Sequence, residues 1–239
     1  MKETRQIELK NADIIQGNHR LLSKVNLSVE AGEFIYIIGK VGTGKTSLIK
    51  TLHAELPLAS GYGKVAGFNL PGIKHREIAL LRRKTGVIFQ DFRLLQDRSV
   101  FENLSFVLKA TGWKNKKAIA SRIDDVLEQV NMADKKEKMP HQLSGGEQQR
   151  IAIARAILNH PVIVLADEPT GNLDPETSEE ILRLFIQLNK QGKTIVMATH
   201  DHAVIAQNPA RTLGCANGKV SDSASVKTLL DFEELLTKN

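Results

Sequence analysis

The stretch Gly39-Lys40-Val41-Gly42-Thr43-Gly44-Lys45-Thr46 decides the fold, and it matches the pattern G-x-x-x-x-G-K-S/T in full. The apolar run Phe34–Ile38 leads into it, and residues 45–52 behind it have a helical pattern. A glycine-rich loop between a buried strand and a helix turns backbone N–H groups toward phosphate oxygens, and the helix adds the positive end of its dipole. The sequence therefore predicts a phosphate-binding loop in an α/β fold.

The side chains of this loop indicate a nucleoside triphosphate with magnesium. We expect Lys45 to reach the β- and γ-phosphates and the Thr46 hydroxyl to ligate Mg²⁺. We expect Lys40 to point to solvent, because the cradle uses the backbone rather than that side chain. The predicted phosphate contacts cover the loop and the next residue: Gly39, Lys40, Val41, Gly42, Thr43, Gly44, Lys45, Thr46 and Ser47.

A second motif, Leu165-Ala166-Asp167-Glu168, closes another strand-like apolar run. Asp167 is suited to hold Mg²⁺, directly or through water. Glu168 can polarise a water molecule for attack on the γ-phosphate, as a general base does. Two carboxylates at the end of a strand are often ordinary surface groups. The phosphate-binding loop upstream favours the catalytic interpretation.

A third motif begins at Ser144, where Glu147 follows three residues later as in a capping box. The apolar pattern behind it predicts a helix. Gly145 and Gly146 stand in the first turn of that helix, where each glycine costs up to about 1 kcal/mol relative to alanine. This cost is understandable if the backbone there approaches an anionic ligand, which a helix N-terminus favours.

The bulk composition excludes several classes of protein. The 239 residues are 41% hydrophobic and 25% charged, and no run approaches the roughly 20 apolar residues that a transmembrane helix needs. We therefore expect a soluble intracellular chain. Cys215 is the only cysteine, so an internal disulfide is excluded and a buried thiol is expected. The net charge of +6 is only weak evidence for an anionic partner.

The pattern along the chain predicts a mostly parallel sheet covered by helices, with antiparallel strands at residues 5–11 and 24–30. Buried strands are predicted at 34–38, 86–89, 162–166 and 194–198, and a helix at about 175–188. Between about 101 and 158 the apolar spacing is helical throughout. We predict one domain of residues 1–239: a nucleotide-binding core at 1–90 and 159–220, a helical sub-domain at 91–158, and a tail at 221–239. The amphipathic piece at 229–236 is expected to pack on the core.

Five motifs occur in the order found in the ATP-binding subunits of the ABC family. They are the phosphate-binding loop, Gln90 after a strand, the Ser144–Glu147 segment, Asp167-Glu168, and His200 after the strand 194–198. Asp174, in Gly171-Asn172-Leu173-Asp174, resembles the family's D-loop and is also placed to cap a helix before Pro175. The chain resembles this family over essentially its whole length.

The resemblance implies a role for each motif. Gln90 would join the Mg²⁺ and water shell and sense a membrane partner, and His200 would contact the γ-phosphate and orient the attacking water. A second copy of the chain would complete each ATP site through Ser144, Gly145, Gly146, Glu147 and Asp174. One departure is visible: many relatives place an aromatic residue near Gln16 to stack on adenine, and here residues 1–31 contain no Phe, Tyr or Trp. We expect apolar side chains to hold the base.

Within the family, residues 89–103 resemble the FtsE family of cell-division ATPases. That resemblance implies an integral membrane partner like FtsX, activation of cell-wall hydrolases, and a peripheral position at the cytoplasmic face of the bacterial inner membrane. One alternative is the ATPase of a lipoprotein-release or macrolide-type transporter. A soluble ABC ATPase acting on nucleic acid is less favoured, and no nucleic acid is expected. A chain that only binds nucleotide is disfavoured because Lys45, Asp167, Glu168 and His200 are all present.

Overall fold

The computed structural model describes residues 5–225, and the fold is built from two sheets and seven α-helices within that range. The strands are β1 (Arg5–Gln16), β2 (His19–Glu30), β3 (Phe34–Ile38), β4 (Ser60–Val65), β5 (Phe68–Asn69), β6 (Thr85–Ile88), β7 (Ile163–Asp167), β8 (Thr194–Ala198), β9 (Arg211–Ala216) and β10 (Lys219–Asp222). The helices are α1 (Lys45–Leu52), α2 (His75–Lys84), α3 (Val100–Ala110), α4 (Lys116–Gln129), α5 (Gly145–Ile157), α6 (Pro175–Lys190) and α7 (His202–Gln207). Short 3-10 turns lie at Ala133–Lys135, Pro140–Gln142 and Ser223–Ser225.

The larger sheet has the strand order β10-β9-β3-β8-β7-β6 and is parallel except for its β9–β10 edge. The central strands β7 and β8 are buried along their whole length, which explains their continuous apolar sequences. Pairing of Ile37 and Asp167 with Ala198 aligns the carboxyl ends of β3, β7 and β8. Ligands of open α/β sheets bind at this edge, and every loop predicted to touch nucleotide from the core leaves the sheet there.

The smaller sheet is antiparallel, with the order β2-β1-β4-β5. Its first hairpin contains the predicted segments 5–11 and 24–30 but is longer, with strands of 12 residues joined at Gly17. Register shifts interrupt the pairing, and Asn11 and Lys24 have φ values of 46° and 49°. Such bulges break the alternation of apolar and polar residues, so the sequence pattern indicated only the regular ends of the hairpin.

Two hydrophobic clusters lie on opposite faces of the larger sheet. Alternate residues of β3 pack into the two clusters, with Tyr36 and Ile38 in one and Ile35 and Ile37 in the other. The first cluster joins α3, α4, α5 and α6 to the sheet, and the second joins α1 to the antiparallel sheet. The residues between 101 and 158 form helices and turns, as their spacing predicts. The proposed division of the chain into core, sub-domain and tail stays a prediction.

The expected tail begins inside regular structure, since β10 ends at Asp222 and a 3-10 turn follows it. The amphipathic piece predicted at 229–236 lies outside the described residues. Among residues 5–225, no helix combines the length and apolar character that a membrane crossing requires. Cys215 is fully buried on β9, as predicted, and burial raises the pKa of its thiol to about 12.

Candidate nucleotide site

The phosphate-binding loop has the backbone that its glycines allow. Gly42 and Gly44 have φ values of 85° and 99°, which side chains rarely adopt, and Gly39 has φ 149°. A Cβ atom at Gly39 would lie 2.3 Å from the carbonyl oxygen of Cys215, so the loop packs directly on β9. Helix α1 starts at Lys45 after Gly44, and no described side chain caps it. Its first N–H groups are therefore available to an anion.

Lys45 is the buried cation of the site, with a relative exposure of 5%. Its Nζ atom donates to the carbonyl oxygens of Gly39 at 2.8 Å and Lys40 at 3.3 Å. It also lies 3.4 Å from Oε1 of Glu168. These acceptors hold the ammonium group beneath the loop, and Lys45 forms part of the wall of a cavity. The Lys40 side chain is exposed, as expected. Lys40 contributes to this arrangement only through its backbone carbonyl group.

Asp167 and Thr46, two of the three predicted metal ligands, are in direct contact. Thr46 Oγ1 donates to Asp167 Oδ1 over 3.1 Å, although 121 residues separate them. Asp167 is 8% exposed, and this burial raises the pKa of its carboxyl group above the usual value. A bound cation would offset that desolvation cost. Residues 5–225 contain no group of three His, Cys, Asp or Glu side chains able to hold a metal by themselves. Magnesium is commonly held by one or two carboxylates together with substrate phosphates and water, and this pair fits that mode.

Glu168 is held in an unusual backbone conformation, with φ 48°. Its N–H donates to the carbonyl of Ala198 at 2.9 Å, and its own carbonyl accepts from Gly171 N–H at 3.1 Å. The carboxylate lies between two hydrogen-bond donors, because Oε2 is 3.0 Å from Nδ1 of His200 while Oε1 is 3.4 Å from Nζ of Lys45. Left-handed conformations of residues other than glycine cost about 1–3 kcal/mol and gather at functional sites. Here the strained turn aims the carboxylate into the cavity.

A cavity of about 560 Å³ brings these groups together. Its lining residues come from both sheets, from α1 and from the loops after β3, β6, β7 and β8: Gln16, Leu21, Val41, Gly42, Gly44, Lys45, Thr46, Ser47, Lys50, Gln90, Asp167, Glu168 and His200. The predicted metal and catalytic residues of one copy thus share one space with six of the nine predicted phosphate residues, whereas Gly39, Lys40 and Thr43 do not line it. Among the described residues, the lining includes neither Ser144–Glu147 nor Asp174.

The side of the cavity toward the antiparallel sheet is apolar and amide-lined rather than aromatic. Leu21 and Gln16 line it, and Gln16 Oε1 accepts a hydrogen bond from Ser47 Oγ at 3.1 Å. Val41 at the tip of the loop is 91% exposed. The sequence reasoning missed Leu21 and Lys50. Lys50 stands one helical turn after Thr46 on α1, which is the signal that could have found it.

The Ser144–Glu147 motif is a capped helix start, as predicted. Ser144 Oγ accepts from Glu147 N–H at 3.2 Å, and Glu147 Oε2 accepts from Ser144 N–H at 2.8 Å. That backbone hydrogen bond holds the pKa of Glu147 below its usual value. A Cβ atom at Gly146 would lie 2.4 Å from the methyl group of Thr177. The motif therefore packs on the start of α6 with no room for a side chain at that glycine.

Asp174 caps α6, as predicted. Its Oδ1 accepts from Thr177 N–H at 3.0 Å, and its Oδ2 accepts from the Thr177 hydroxyl at 2.6 Å. Gln90 is hydrogen-bonded to the loop before Asp174. Its side-chain amide donates to Asn172 Oδ1 at 3.2 Å, and its backbone carbonyl accepts from Asn172 Nδ2 at 3.3 Å. The sequence reasoning gave Asn172 no function, and only the fold brings residues 82 positions apart into this pair.

Comparison with known proteins agrees with this geometry. Residues 22–171 match the model of the ABC transporter family. The chain is 46% identical over 199 residues to the cell division ATP-binding protein FtsE of Streptococcus pneumoniae, covering 83% of this chain and 86% of that protein. It is 43% identical over 208 residues to the methionine import ATP-binding protein MetN 2 of Salmonella typhimurium, covering 87% of this chain but 61% of that protein.

A solved structure supports the same assignment. The dimeric ATP-binding cassette MJ0796, in a post-hydrolysis state with ADP and phosphate, superposes with a TM-score of 0.80 at 32% identity. The match covers 90% of this chain and 96% of that one. The motif order, the shared cavity, the sequence relatives and this structure agree, and the resemblance to FtsE is confirmed. The chain belongs to the ABC transporter family of ATP-binding proteins and is an ATPase of the ABC type.

Proposed function

We propose that this chain is the ATP-hydrolysing subunit of a membrane complex of the FtsE type and that it works as a dimer with two shared ATP sites. The single observation that carries the proposal is the separation of two sets of motifs. One cavity collects the phosphate-binding loop, Gln90, Asp167, Glu168 and His200. The Ser144–Glu147 helix start lies outside that cavity and is exposed at Ser144.

Within one copy, each group has a defined chemical role. Lys45 and the N–H groups of the loop bind the phosphates, and Thr46, Asp167 and Gln90 hold Mg²⁺ and its water shell. Bound Mg²⁺ would neutralise phosphate charge. Glu168 accepts a proton from the attacking water, and His200 fixes the carboxylate and contacts the γ-phosphate. The contacts of Glu168 with His200 and Lys45 support this assignment, because they hold one carboxylate in a single orientation.

A second copy completes the site. An anion binds well at a helix N-terminus, and α5 presents one at Gly145 and Gly146 without a bulky side chain. Two copies related by a two-fold axis would bring this terminus, with Asp174, to the γ-phosphate held by the partner. The dimeric state of MJ0796 favours this arrangement. ATP would then hold the dimer closed, and hydrolysis would open it.

A groove suits a membrane subunit. It lies at the end of the segment 89–99 between β6 and α3, which we call the Gln90 loop. The groove has a volume of about 800 Å³ and is lined by residues of α3 and of the loop before it, with Glu137. Phe106 is 48% exposed there, and the guanidinium group of Arg98 lies 4.8 Å from its ring. A cytoplasmic segment with apolar side chains would fit this surface around Phe106. The partner we propose is an FtsX-like protein, which places the chain at the cytoplasmic face of the inner membrane and links it to cell-wall hydrolases.

A transporter ATPase is the second candidate. The identity to MetN 2 is within a few percentage points of the identity to FtsE, so identity does not separate the two. Coverage favours FtsE, since the match spans 86% of FtsE but 61% of MetN 2. A lipoprotein-release or macrolide-type complex belongs to the same second class. All of these candidates share the ATPase site and differ in the membrane subunit.

Isolation of the complex from native membranes tests the proposal. The tagged full-length chain should recover a membrane subunit of the FtsX type, and Phe106→Asp in the groove should release that subunit while ATP binding persists. Leu80→Asp is the matched control, because Leu80 is 46% exposed on α2 and does not line the groove. Recovery of a substrate-transporting subunit would favour the second candidate. ATP-dependent binding of DNA or RNA without any membrane protein would overturn both.

A further inference from the structure

Helix α5 contacts the Gln90 loop through a side chain that the ATP site does not use. Arg155, in the last turn of α5, donates from Nη2 to the carbonyl oxygen of Phe92 at 2.7 Å and from Nη1 to the carbonyl oxygen of Arg93. Two adjacent carbonyl groups are thus held by one planar guanidinium, whose paired donors suit such a fork. More than 60 residues separate the partners along the chain.

The two residues held in this way are strained. Phe92 and Arg93 have φ values of 54° and 51°, so two consecutive side-chain-bearing residues occupy the left-handed region. Each such residue costs about 1–3 kcal/mol and persists only where its surroundings enforce it. Arg93 also donates from Nε to Asp91, and its guanidinium lies 3.7 Å from the centre of the Phe89 ring. Arg155 supplies the restraint from outside this short segment.

The strained pair joins two parts of the proposed ATP site. Gln90 lies two residues before Phe92, lines the cavity and is bonded to Asn172. On the other side, the tip of the Phe92 ring is 3.9 Å from where a Cβ atom at Gly145 would lie, so the ring is near the first turn of α5. Phe92 is therefore held by α5 through its carbonyl group near the helix end, and its ring lies near the helix start.

We propose that Arg155 is a positioning residue, which holds the Phe92–Arg93 pair in its strained conformation and so sets Gln90 relative to the ATP cavity and to the start of α5. This inference rests on the proposed function, because it assigns Arg155 its effect through Gln90. Movement of α5 when a second copy binds ATP would then be passed to Gln90 through the two carbonyl groups. Arg155 does not line the cavity and needs no contact with nucleotide.

Steady-state ATP hydrolysis by the purified full-length chain tests the role of Arg155. Arg155→Met keeps the length of the side chain and removes its donors. We expect kcat to fall by about ten- to a hundredfold, as small misplacements of reacting groups do, with equilibrium ATP binding near wild type. Arg155→Lys, which can hold one carbonyl group, should recover part of the loss. Arg122→Met is the matched control, because Arg122 also holds two adjacent carbonyl groups of the same helix region, those of Ile157 and Leu158. It should lower thermal stability but leave kcat near wild type.

A double-mutant comparison separates positioning from packing. Arg93→Gly allows the left-handed conformation with little strain. In that background Arg155→Met should therefore lower kcat much less. Arg93→Ala removes the same side chain without relieving the strain, so Arg155→Met should lower kcat there by about the full ten- to a hundredfold. Equal costs in the two backgrounds, or equal kcat for Arg155→Met and Arg122→Met, would overturn the proposal. The proposed site is tested separately by Gln90→Ala, since wild-type turnover in that variant would contradict the role of Gln90 whatever Arg155 does.

Discussion

His200 places Nδ1 3.0 Å from Oε2 of Glu168, and the two residues come from loops after neighbouring parallel strands. Lys45 approaches the other carboxylate oxygen at 3.4 Å. Because a carboxylate offers only acceptors, His200 donates through Nδ1–H, and its other ring nitrogen remains to face the cavity. The carboxylate is thus oriented by a ring on one side and an ammonium group on the other.

Replacement of Glu168 by Gln should remove most turnover without removing ATP binding. The amide keeps the shape of the side chain but cannot accept the proton of the attacking water, and general-base roles contribute about 10²–10⁴-fold. ATP hydrolysis and nucleotide binding measure the two effects, and size-exclusion chromatography with ATP should show an accumulated dimer. Glu179→Gln is the control, since Glu179 makes a surface ion pair with Arg183. Near-wild-type hydrolysis by Glu168→Gln would refute the base assignment.

Mixing two inactive variants should restore activity if each site is shared between copies. Lys45→Ala removes a phosphate ligand from its own cavity, and Ser144→Arg blocks the helix start that reaches the partner's cavity. A mixed dimer carries both defects at one site and none at the other, and about half of randomly assembled dimers are mixed. The mixture should therefore hydrolyse ATP, whereas neither variant should do so alone.

Two observations would contradict the shared site. An equimolar mixture as inactive as its components would mean that each cavity uses its own Ser144. Loss of ATP binding by Ser144→Arg alone would mean that this residue acts within its own copy. Ser144→Asp serves as the folding control, because aspartate keeps the N-cap of α5.

Gly146→Ala should lower both the stability of the fold and ATP hydrolysis, and adding Thr177→Ser should restore them. A Cβ atom at Gly146 would lie 2.4 Å from the Thr177 methyl group, and overpacking of this kind costs about 1–3 kcal/mol. Serine lacks that methyl group but keeps the hydroxyl that donates to Asp174. Urea unfolding and ATP hydrolysis of the single and double variants measure the effect. A defect of equal size in both backgrounds would show that the methyl contact is not its cause.

His53 should make the fold less stable in mild acid. Burial, with a smaller contribution from Arg82, lowers the pKa of its ring to about 4 from 6.5. Thr85 donates its hydroxyl proton to the carbonyl of Leu81 at 3.0 Å, so the neutral His53 ring donates from Nδ1 to Thr85 at 2.9 Å. Between pH 6.5 and about 4 the unfolded chain binds the proton more tightly, so the free energy of unfolding should fall as pH falls through that window.

The loss contributed by His53 should be on the order of 3 kcal/mol across that window, from the size of the shift. Urea denaturation at pH 7.5 and at pH 5 measures the larger part of this loss, since pH 5 lies inside the window. His53→Gln, which can still donate to Thr85 and does not titrate, should flatten the pH dependence. His75→Gln is the control, because His75 is exposed on α2. An unchanged slope in His53→Gln would exclude His53 as the source.

Much of the site could be predicted because its parts are local in sequence. The phosphate-binding loop, the capping box at Ser144 and Glu147, and the cap at Asp174 are each encoded within eight residues or fewer, since they depend on backbone preferences and on hydrogen bonds one turn apart. The parallel strands were readable for a related reason, because burial on both faces requires a continuous apolar run. These features determined the fold class and the kind of ligand.

The tertiary structure alone decided which of these parts meet. The pair of Thr46 and Asp167 depends on the alignment of strand ends. The contacts of Arg155 with Phe92 and Arg93 depend on how α5 packs beside the Gln90 loop. Neither leaves a periodic or local trace, because a hydrogen bond between distant residues constrains their positions in space and not their spacing along the chain. The sequence by itself thus determined the phosphate-binding chemistry of the loop at residues 39–46, whereas packing decided which groups surround it and how they are held.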